Sequence, residues 1–134
     1  MFDKYTSRHK KGQVDWIRIE SAAERSSAEA SWLGRARAEA VALARDLCNE
    51  APNDLHPASF VQRIKTVFAG RNVKLRVYQG EELKQRQMNG LLAVGSGSKH
   101  PPAMVEIEYL GDSNAPHLAL IGKGITCDMG GMNL

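Results

Sequence analysis

The stretch over positions 27–48 constrains the fold more than any other part of the chain. Nine alanines lie between residues 22 and 44, and alanine has the highest helix propensity of all residues. Larger apolar and alanine residues recur there at spacings of three and four: Trp32, Ala36, Ala40, Leu43 and Leu47. This periodicity predicts one long helix with a single apolar face. Such a face needs a partner, either within the chain or in an oligomer.

The remainder of the chain alternates between helix and strand signals. A second helix is expected to begin at Pro57, which suits the first turn, and to end at Gly70. Apolar and basic residues alternate over 73–78 and predict a strand, which a short helix over 81–87 follows. Three further strands are expected, a buried one over 91–94, an amphipathic one over 104–110 and a buried one over 117–121.

The order of these elements predicts the α/β class. Residues 117–121 (HLALI) form a continuous apolar run, which is typical of a strand covered on both faces, as in parallel sheets. We therefore expect a long connecting helix followed by part of a mixed, largely parallel sheet flanked by helices. In the amphipathic strand, Glu106 and Glu108 share one face. Paired carboxylates can perform acid–base chemistry, but on such a strand they usually form its solvent side.

Composition argues against several classes of protein. No apolar run approaches the roughly 18 residues that a membrane span requires, and no apolar segment follows the basic N-terminus as in a signal peptide. Cys48 and Cys127 are far apart, with no cysteine or histidine at metal-ligand spacing, which argues against a disulfide framework and a zinc knuckle. Reduced thiols suit a reducing compartment, and a cytoplasmic protein is predicted.

The charge balance is only mildly basic. The chain has 18 Lys and Arg against 15 Asp and Glu, a net charge of +3, and acidic residues are interspersed among most of the basic ones. The segment 8–11 (RHKK) and the strand 73–78 leave nucleic-acid binding open as a function, with an affinity that would fall steeply with salt. No aromatic stacking motif accompanies this charge, so a nucleic-acid partner is not expected.

The histidines give little indication of a site. His9, His56, His100 and His117 are scattered along the sequence, and none pairs with another at helical spacing. We expect His56 to start the helix that follows it, and His117 to open a strand.

The most informative segment is the glycine-rich one over 122–131 (GKGITCDMGG). Lys123 and Asp128 lie five positions apart, directly after a predicted buried strand, and ligands bind at such strand ends in α/β sheets. The flanking glycines allow the backbone to approach a ligand closely. The order of residues matches neither a P-loop nor a dinucleotide-binding fingerprint. A sharp turn whose Lys123 and Asp128 merely face water remains the alternative.

This segment resembles the metal-binding signature of the leucyl aminopeptidase (cytosol aminopeptidase, M17) family. Residues 43–54 (LARDLCNEAPND) resemble the end of a family helix and its Pro-Asn turn. Residues 91–98 (LLAVGSGS), with two prolines following, resemble the next landmark. The three landmarks occur in the family's order and at similar spacing, and the resemblance extends from about residue 25 to the end of the sequence.

The resemblance implies a function and a domain organisation. Family members are hexameric metallo-exopeptidases that release N-terminal residues, often leucine, from peptides with two divalent metals such as Mn²⁺ or Zn²⁺. Lys123 and Asp128 match metal ligands of the family. By the same resemblance, residues 1–24 would be the tail of an N-terminal domain, 25–52 a connecting helix, and 53–134 the first part of a catalytic α/β domain. The fold and the homo-oligomer are expectations on the same basis.

The expected chemistry is coherent but incomplete within these residues. A lysine binds a metal only as the neutral amine, which two adjacent dications would favour, and the Asp128 carboxylate is a conventional hard ligand. The family's catalytic lysine would follow Leu134, and its remaining ligands would lie further on. No catalytic residue is therefore expected within the chain, which we expect to be a fragment, inactive alone.

Two residues depart from the family pattern. Cys127 stands where the family usually has an aromatic residue, and Met129 where it has serine or threonine. Cys127 is either a third metal ligand or, as we expect, a small buried apolar residue in place of a ring. Met129 lacks a hydroxyl that could support the loop. These departures favour a second hypothesis, an inactive truncated paralogue that acts as an interaction or oligomerisation module.

Overall fold

The architecture is described by a computed structural model, which covers residues 4–5, 18, 27–109, 111–112 and 114–127. The chain divides after Glu50 into two compact units, residues 1–50 and 51–134. The described elements, in chain order, are α1 (Ser27–Asn49), α2 (Pro57–Phe68), β1 (Val73–Gln79), α3 (Glu81–Gln85), α4 (Asn89–Gly95) and β2 (Ala103–Tyr109). Helices and strands alternate through the second unit, and the α/β class is confirmed.

Helix α1 confirms the long helix predicted from the alanine-rich stretch. Its predicted apolar stripe is half-buried at Ala36, Leu43 and Leu47, whereas Trp32 keeps 68% of its surface exposed. After the helix, the Glu50 carboxylate accepts hydrogen bonds from Lys4 Nζ at 2.8 Å and from the Tyr5 hydroxyl. None of the helices in the described ranges has both the length and the apolar character to cross a bilayer.

Helix α2 begins and ends where the sequence predicts. His56 is its N-cap, Pro57 is its first residue, and the Ser59 side chain accepts a hydrogen bond from the His56 backbone N–H at 2.9 Å. Val61 is buried and the rest of the predicted stripe is half-buried. The chain leaves the helix through Gly70, whose φ of +71° falls in the left-handed region that glycine adopts without strain.

Strands β1 and β2 form a two-stranded antiparallel sheet. Leu75 pairs with Ile107 and Val77 with Val105, which places the apolar residues of both strands on one face. Ion pairs join the strands on the opposite face, at 2.8 Å between Arg76 and Glu106 and at 3.8 Å between Lys74 and Glu108. The residue types alternate across the two faces as predicted, but burial in β2 does not follow them: Ile107 and Tyr109 are 42% and 76% exposed, whereas Glu106 and Glu108 are half-buried.

The expectation of a largely parallel sheet is wrong for the described residues. The connection between β1 and β2 contains α3 and α4 and returns the chain in the opposite direction, so the two strands pair antiparallel. A parallel neighbour would have to come from another strand, and the part of the chain that is described pairs no third strand with these two.

The core of the second unit has buried residues before and within α2, at Leu55 and Val61, and others where α3 meets β1. Leu83 of α3 is fully buried, and Tyr78 of β1 is 5% exposed. The Arg86 guanidinium lies 4.3 Å from the centre of the Tyr78 ring, a cation–π contact. The Tyr78 hydroxyl donates a hydrogen bond to Glu106 of β2. This tyrosine therefore links a helix to both strands.

Two of the predicted strands are wrong. Residues 91–94 (LLAV), expected as a buried strand, lie within helix α4, where Val94 is 79% exposed. A four-residue apolar run carries no periodicity that separates helix from strand, and leucine and alanine favour the helix. Residues 117–121, expected as a strand covered on both faces, are neither helix nor strand, and Leu120 is 89% exposed. No described element covers or pairs with them, so His117 opens no strand.

Candidate metal-binding loop

The structure describes only the first half of the predicted metal-binding loop. Lys123 follows the extended apolar run, is exposed, and lies outside any helix or strand. Asp128 lies outside the described residues, as does Met129. The pairing of Lys123 with Asp128 in one site therefore remains a prediction.

One contact fixes where this loop passes the rest of its unit. A Cβ built at Gly124 would lie 3.4 Å from Cε1 of Phe60 in α2, whereas one at Gly122 would meet nothing within 4 Å. The chain beside Lys123 thus passes near the first turn of α2, at a distance where a Cβ at position 124 would make an ordinary van der Waals contact with Phe60. Sequence reasoning assigned Phe60 only to the buried stripe of its helix, because no local pattern indicates a contact across 64 positions.

The donor chemistry of the loop fits one side of a divalent-metal site. Lys123 supplies an amine nitrogen when neutral and Asp128 a carboxylate oxygen, and both atom types bind Zn²⁺ or Mn²⁺. Two donors are fewer than a closed site requires. Across the described ranges, no group of three or more His, Cys, Asp or Glu residues is placed to hold a metal. Further ligands would have to come from outside those ranges.

Cys127 does not behave as expected. It is exposed, whereas the sequence analysis predicted a small buried residue. Among the described residues, none is shown to cover the Cys127 side chain, which accounts for the difference. Cys48 is exposed as well, and both thiols are free, as predicted.

Glu106 and Glu108 belong to the sheet rather than to a catalytic pair. Each carboxylate is paired with a basic residue of β1. The hydrogen bond from Tyr78, supported by Arg76, lowers the pKa of Glu106 below its ordinary value. The same ion pairs place an acidic residue opposite each of Lys74 and Arg76. Residues 8–11, the other basic segment, lie outside the described residues, so the absence of a nucleic-acid partner stays a prediction.

Two histidines that are distant in sequence are brought together. The rings of His56 and His100 are stacked, with their centres 3.8 Å apart and their planes 8° from parallel. Burial lowers the pKa of His100, and the neighbouring His56 and Lys99 lower it further. His56 has the predicted role at the start of its helix, but no local pattern indicates the stack because the two histidines are 44 positions apart.

Comparison with known proteins identifies relatives of this chain. The family model "Cytosol aminopeptidase family, catalytic domain" matches residues 42–134. A probable cytosol aminopeptidase of Leifsonia xyli subsp. xyli is 38% identical over 99% of this chain and 27% of its own length. Those of Micrococcus luteus and Clavibacter michiganensis are 42% and 44% identical over 72% of this chain and 19% of their own lengths. No solved structure gives a significant match.

The match covers most of this chain but only a small share of each relative's length. The chain spans about a quarter or less of the length of the curated relatives that it matches. The matched region contains α2, the antiparallel sheet and the whole loop over 122–131. The matched residues therefore correspond to only a part of each complete relative.

Proposed function

Because this chain belongs to the cytosol aminopeptidase family, we propose that it forms part of a two-metal aminopeptidase that releases N-terminal residues, such as leucine, from peptides. The observation that carries the proposal is the match to the family's catalytic domain over residues 42–134. That match includes Lys123 and Asp128, the two positions at which the sequence resembles the family's metal ligands. The proposed activity is that of a complete protein of which these residues form a part.

Lys123 and Asp128 are the residues proposed to hold metal. When bound, two divalent ions such as Mn²⁺ or Zn²⁺ polarise the scissile carbonyl and supply a water nucleophile at neutral pH. Lys123 has to present a neutral amine, and its exposed position leaves the side chain available to a ligand. The small glycine at 124, against Phe60, keeps the backbone of the loop close to α2.

The chain supplies part of a site. Two candidate ligands, and about a quarter of a relative's length, support the proposal that the remaining ligands and the catalytic lysine lie outside these 134 residues. A single amine and a single carboxylate bind a divalent ion weakly, since each additional ligand adds to affinity. We therefore expect the 134-residue chain to be inactive in peptide hydrolysis by itself.

Assembly and location complete the proposal. A homo-oligomer, a hexamer by the family resemblance, is supported by the exposure of Trp32 and of Val41 (57%) on α1, since large apolar residues of this kind favour contacts with other chains. The name shared by the matched relatives, cytosol aminopeptidase, supports a cytoplasmic location.

The proposal is tested in the complete protein, extended beyond Leu134 to the full length of its relatives. Release of p-nitroaniline from Leu-p-nitroanilide is measured with Mn²⁺ or Zn²⁺ and again after chelation. Lys123→Ala and Asp128→Ala should each abolish metal-dependent release. Lys65→Ala, which removes an exposed lysine from the last turn of α2, is the matched control and should retain the activity.

The remaining outcomes separate the alternatives. An extended protein that binds metal but does not hydrolyse the substrate would indicate that the loop impairs catalysis, since Cys127 and Met129 depart there from the family. An extended protein that binds no metal would instead support the non-catalytic module. In that case, the oligomeric state of a Trp32→Ala variant would become the informative measurement.

A further inference from the structure

The stacked histidines join two parts of the second unit that are distant in sequence. His56 precedes the first turn of α2, and His100 lies in the loop over 96–102 between α4 and β2. The two rings are 3.8 Å apart and nearly parallel, and both residues are half-buried. The stack is therefore a contact between the start of a helix and a loop, made by two groups that titrate near neutral pH.

His56 is tied to the helix that it caps. Its Nδ1 lies 3.4 Å from the Ser59 backbone N–H, and this nitrogen can accept that hydrogen bond only while it carries no proton. A second proton would remove that acceptor. It would also place a positive charge at the N-terminus of α2, where the helix dipole disfavours cations.

The charged groups that act on His100 disfavour a proton on its ring. The Lys99 ammonium, next to His100 in sequence, disfavours a proton on that ring, as does the neighbouring His56 ring. The first turn of α2 contains no acidic residue. Asp54 precedes the pair in sequence, and its carboxylate accepts a hydrogen bond from Asn53 while its backbone carbonyl accepts one from Ser59. It is the acidic residue nearest to His56 in sequence.

We propose that the His56–His100 stack is a pH-sensitive latch, which holds the loop over 96–102 against the first turn of α2 while the rings are neutral and releases it when the His100 ring takes up a proton. Below pH 6.5, the ordinary midpoint of histidine, an unfolded chain binds more protons than the latched structure. The latch is therefore weakened as the pH falls through that range and is at full strength above it.

Release would reach the turns of α2 beyond the cap. The Phe60 backbone N–H donates to the His56 carbonyl at 2.9 Å, and a Cβ built at Gly124 would lie 3.4 Å from Cε1 of the Phe60 ring. Loss of the cap frees the first N–H groups of the helix, which frays most readily at its ends. Opening should therefore appear first at Ser59 and Phe60 and should leave Leu83 protected.

The latch is tested by NMR titration of the 134-residue chain between about pH 8 and about pH 5. The ring protons of His100 should titrate below 6.5. Amide hydrogen exchange at Ser59 and Phe60, corrected for the intrinsic rate, should rise about tenfold across the titration. A His100 ring that titrates at 6.5, with no acid-induced exchange at Ser59, would overturn the latch.

A pair of variants separates the stack from general acid sensitivity. His56→Asn keeps a good N-cap acceptor but removes one ring, so the titration midpoint of His100 should move up towards 6.5. His117→Asn removes an exposed histidine from the extended segment and should leave the His100 midpoint unchanged. A His100 midpoint that His56→Asn does not move would also contradict the proposal. If that variant fails to fold, the wild-type titration and exchange data decide.

Discussion

Strand β2 and the segment over 117–121 were both expected to be strands, and only β2 is one. β2 alternates apolar and acidic residues, and β1 supplies both its hydrogen-bond partner and the basic residues opposite Glu106 and Glu108. The second segment is uniformly apolar, and its Ile121 is 99% exposed. An amphipathic strand needs one edge and one cover, whereas a uniformly apolar strand needs cover on both faces. The described chain provides only the first of these environments.

The comparison shows what a sequence pattern reports. The hydrophobic periodicity of a segment indicates which of its faces need to be buried. The structure shows whether the same chain buries them. Lys123 directly follows the segment whose environment is missing. The geometry of the proposed metal loop therefore depends on whatever covers residues 117–121, and substitutions in the two regions should differ sharply in effect.

The largest difference is expected between two leucines. Leu83→Ala removes a fully buried side chain from the contact between α3 and β1 and should reduce the free energy of unfolding by about 2–5 kcal/mol. Leu118→Ala truncates a residue that is 84% exposed and should change it by no more than about 0.5 kcal/mol. Urea unfolding of both variants of the 134-residue chain measures the two effects.

A large decrease in the free energy of unfolding for Leu118→Ala would contradict this comparison. It would mean that the segment over 117–121 is covered in solution, by another copy of the chain or by residues outside the described ranges. A dependence of that loss on protein concentration would identify a second copy as the cover.

The second difference concerns two glycines at the ends of apolar runs. A Cβ at Gly95, the last residue of α4, would lie 2.6 Å from Pro102 Cγ, whereas one at Gly122 would meet nothing within 4 Å. Gly95→Ala should therefore reduce the free energy of unfolding by about 1–3 kcal/mol through overpacking. Gly122→Ala, the matched control, should leave it nearly unchanged. Equal effects in thermal unfolding would show that the helix and Pro102 move apart freely.

The third expected effect is a gain in stability. Gln87 has a φ of +54°, and the N–H groups of Gln87 and Met88 close a Schellman motif at the end of α3, onto Lys84 and Leu83. A non-glycine residue is strained there, so Gln87→Gly should raise the free energy of unfolding by about 0.5–1 kcal/mol. The same substitution at Gln62, inside α2, should lower it by about 1 kcal/mol. Two changes of the same sign in urea unfolding would contradict this account of the turn.

The parts of the fold predicted correctly are those with a local signal. α1, α2, β1 and β2 each carry a full period of their element, and Pro57 and Gly70 mark the ends of α2. The segment over 91–94 was mistaken because four apolar residues contain no period. The left-handed turn at Gln87 was missed because the sequence offers glutamine where glycine is the usual marker.

The features of the candidate site also differ in whether a local sequence pattern indicates them. The sequence motif indicates Lys123 and Asp128, since a glycine-rich loop with these residue types is a local pattern. Phe60 beside Gly124 and the stack of His56 on His100 are contacts between distant positions, and no local pattern encodes them. They follow only from the way in which α2 packs against the rest of its unit.

The smallest expected effect lies in the pH dependence of the paired sheet, which the uncharged run over 118–121 lacks. The hydrogen bond from Tyr78 lowers the pKa of Glu106 below its ordinary 4.5. The unfolded chain therefore takes up this proton before the folded one, so the stabilisation is present above pH 4.5 and is lost as the pH falls through the lowered value. Tyr78→Phe removes the largest cause of the shift and should make the acid-induced loss below pH 4.5 smaller. Urea midpoints at neutral and acid pH measure it, with Tyr109→Phe, a tyrosine 76% exposed on β2, as the control. Identical pH profiles for wild type and Tyr78→Phe would show that Arg76, rather than the tyrosine, holds the Glu106 carboxylate in its charged form.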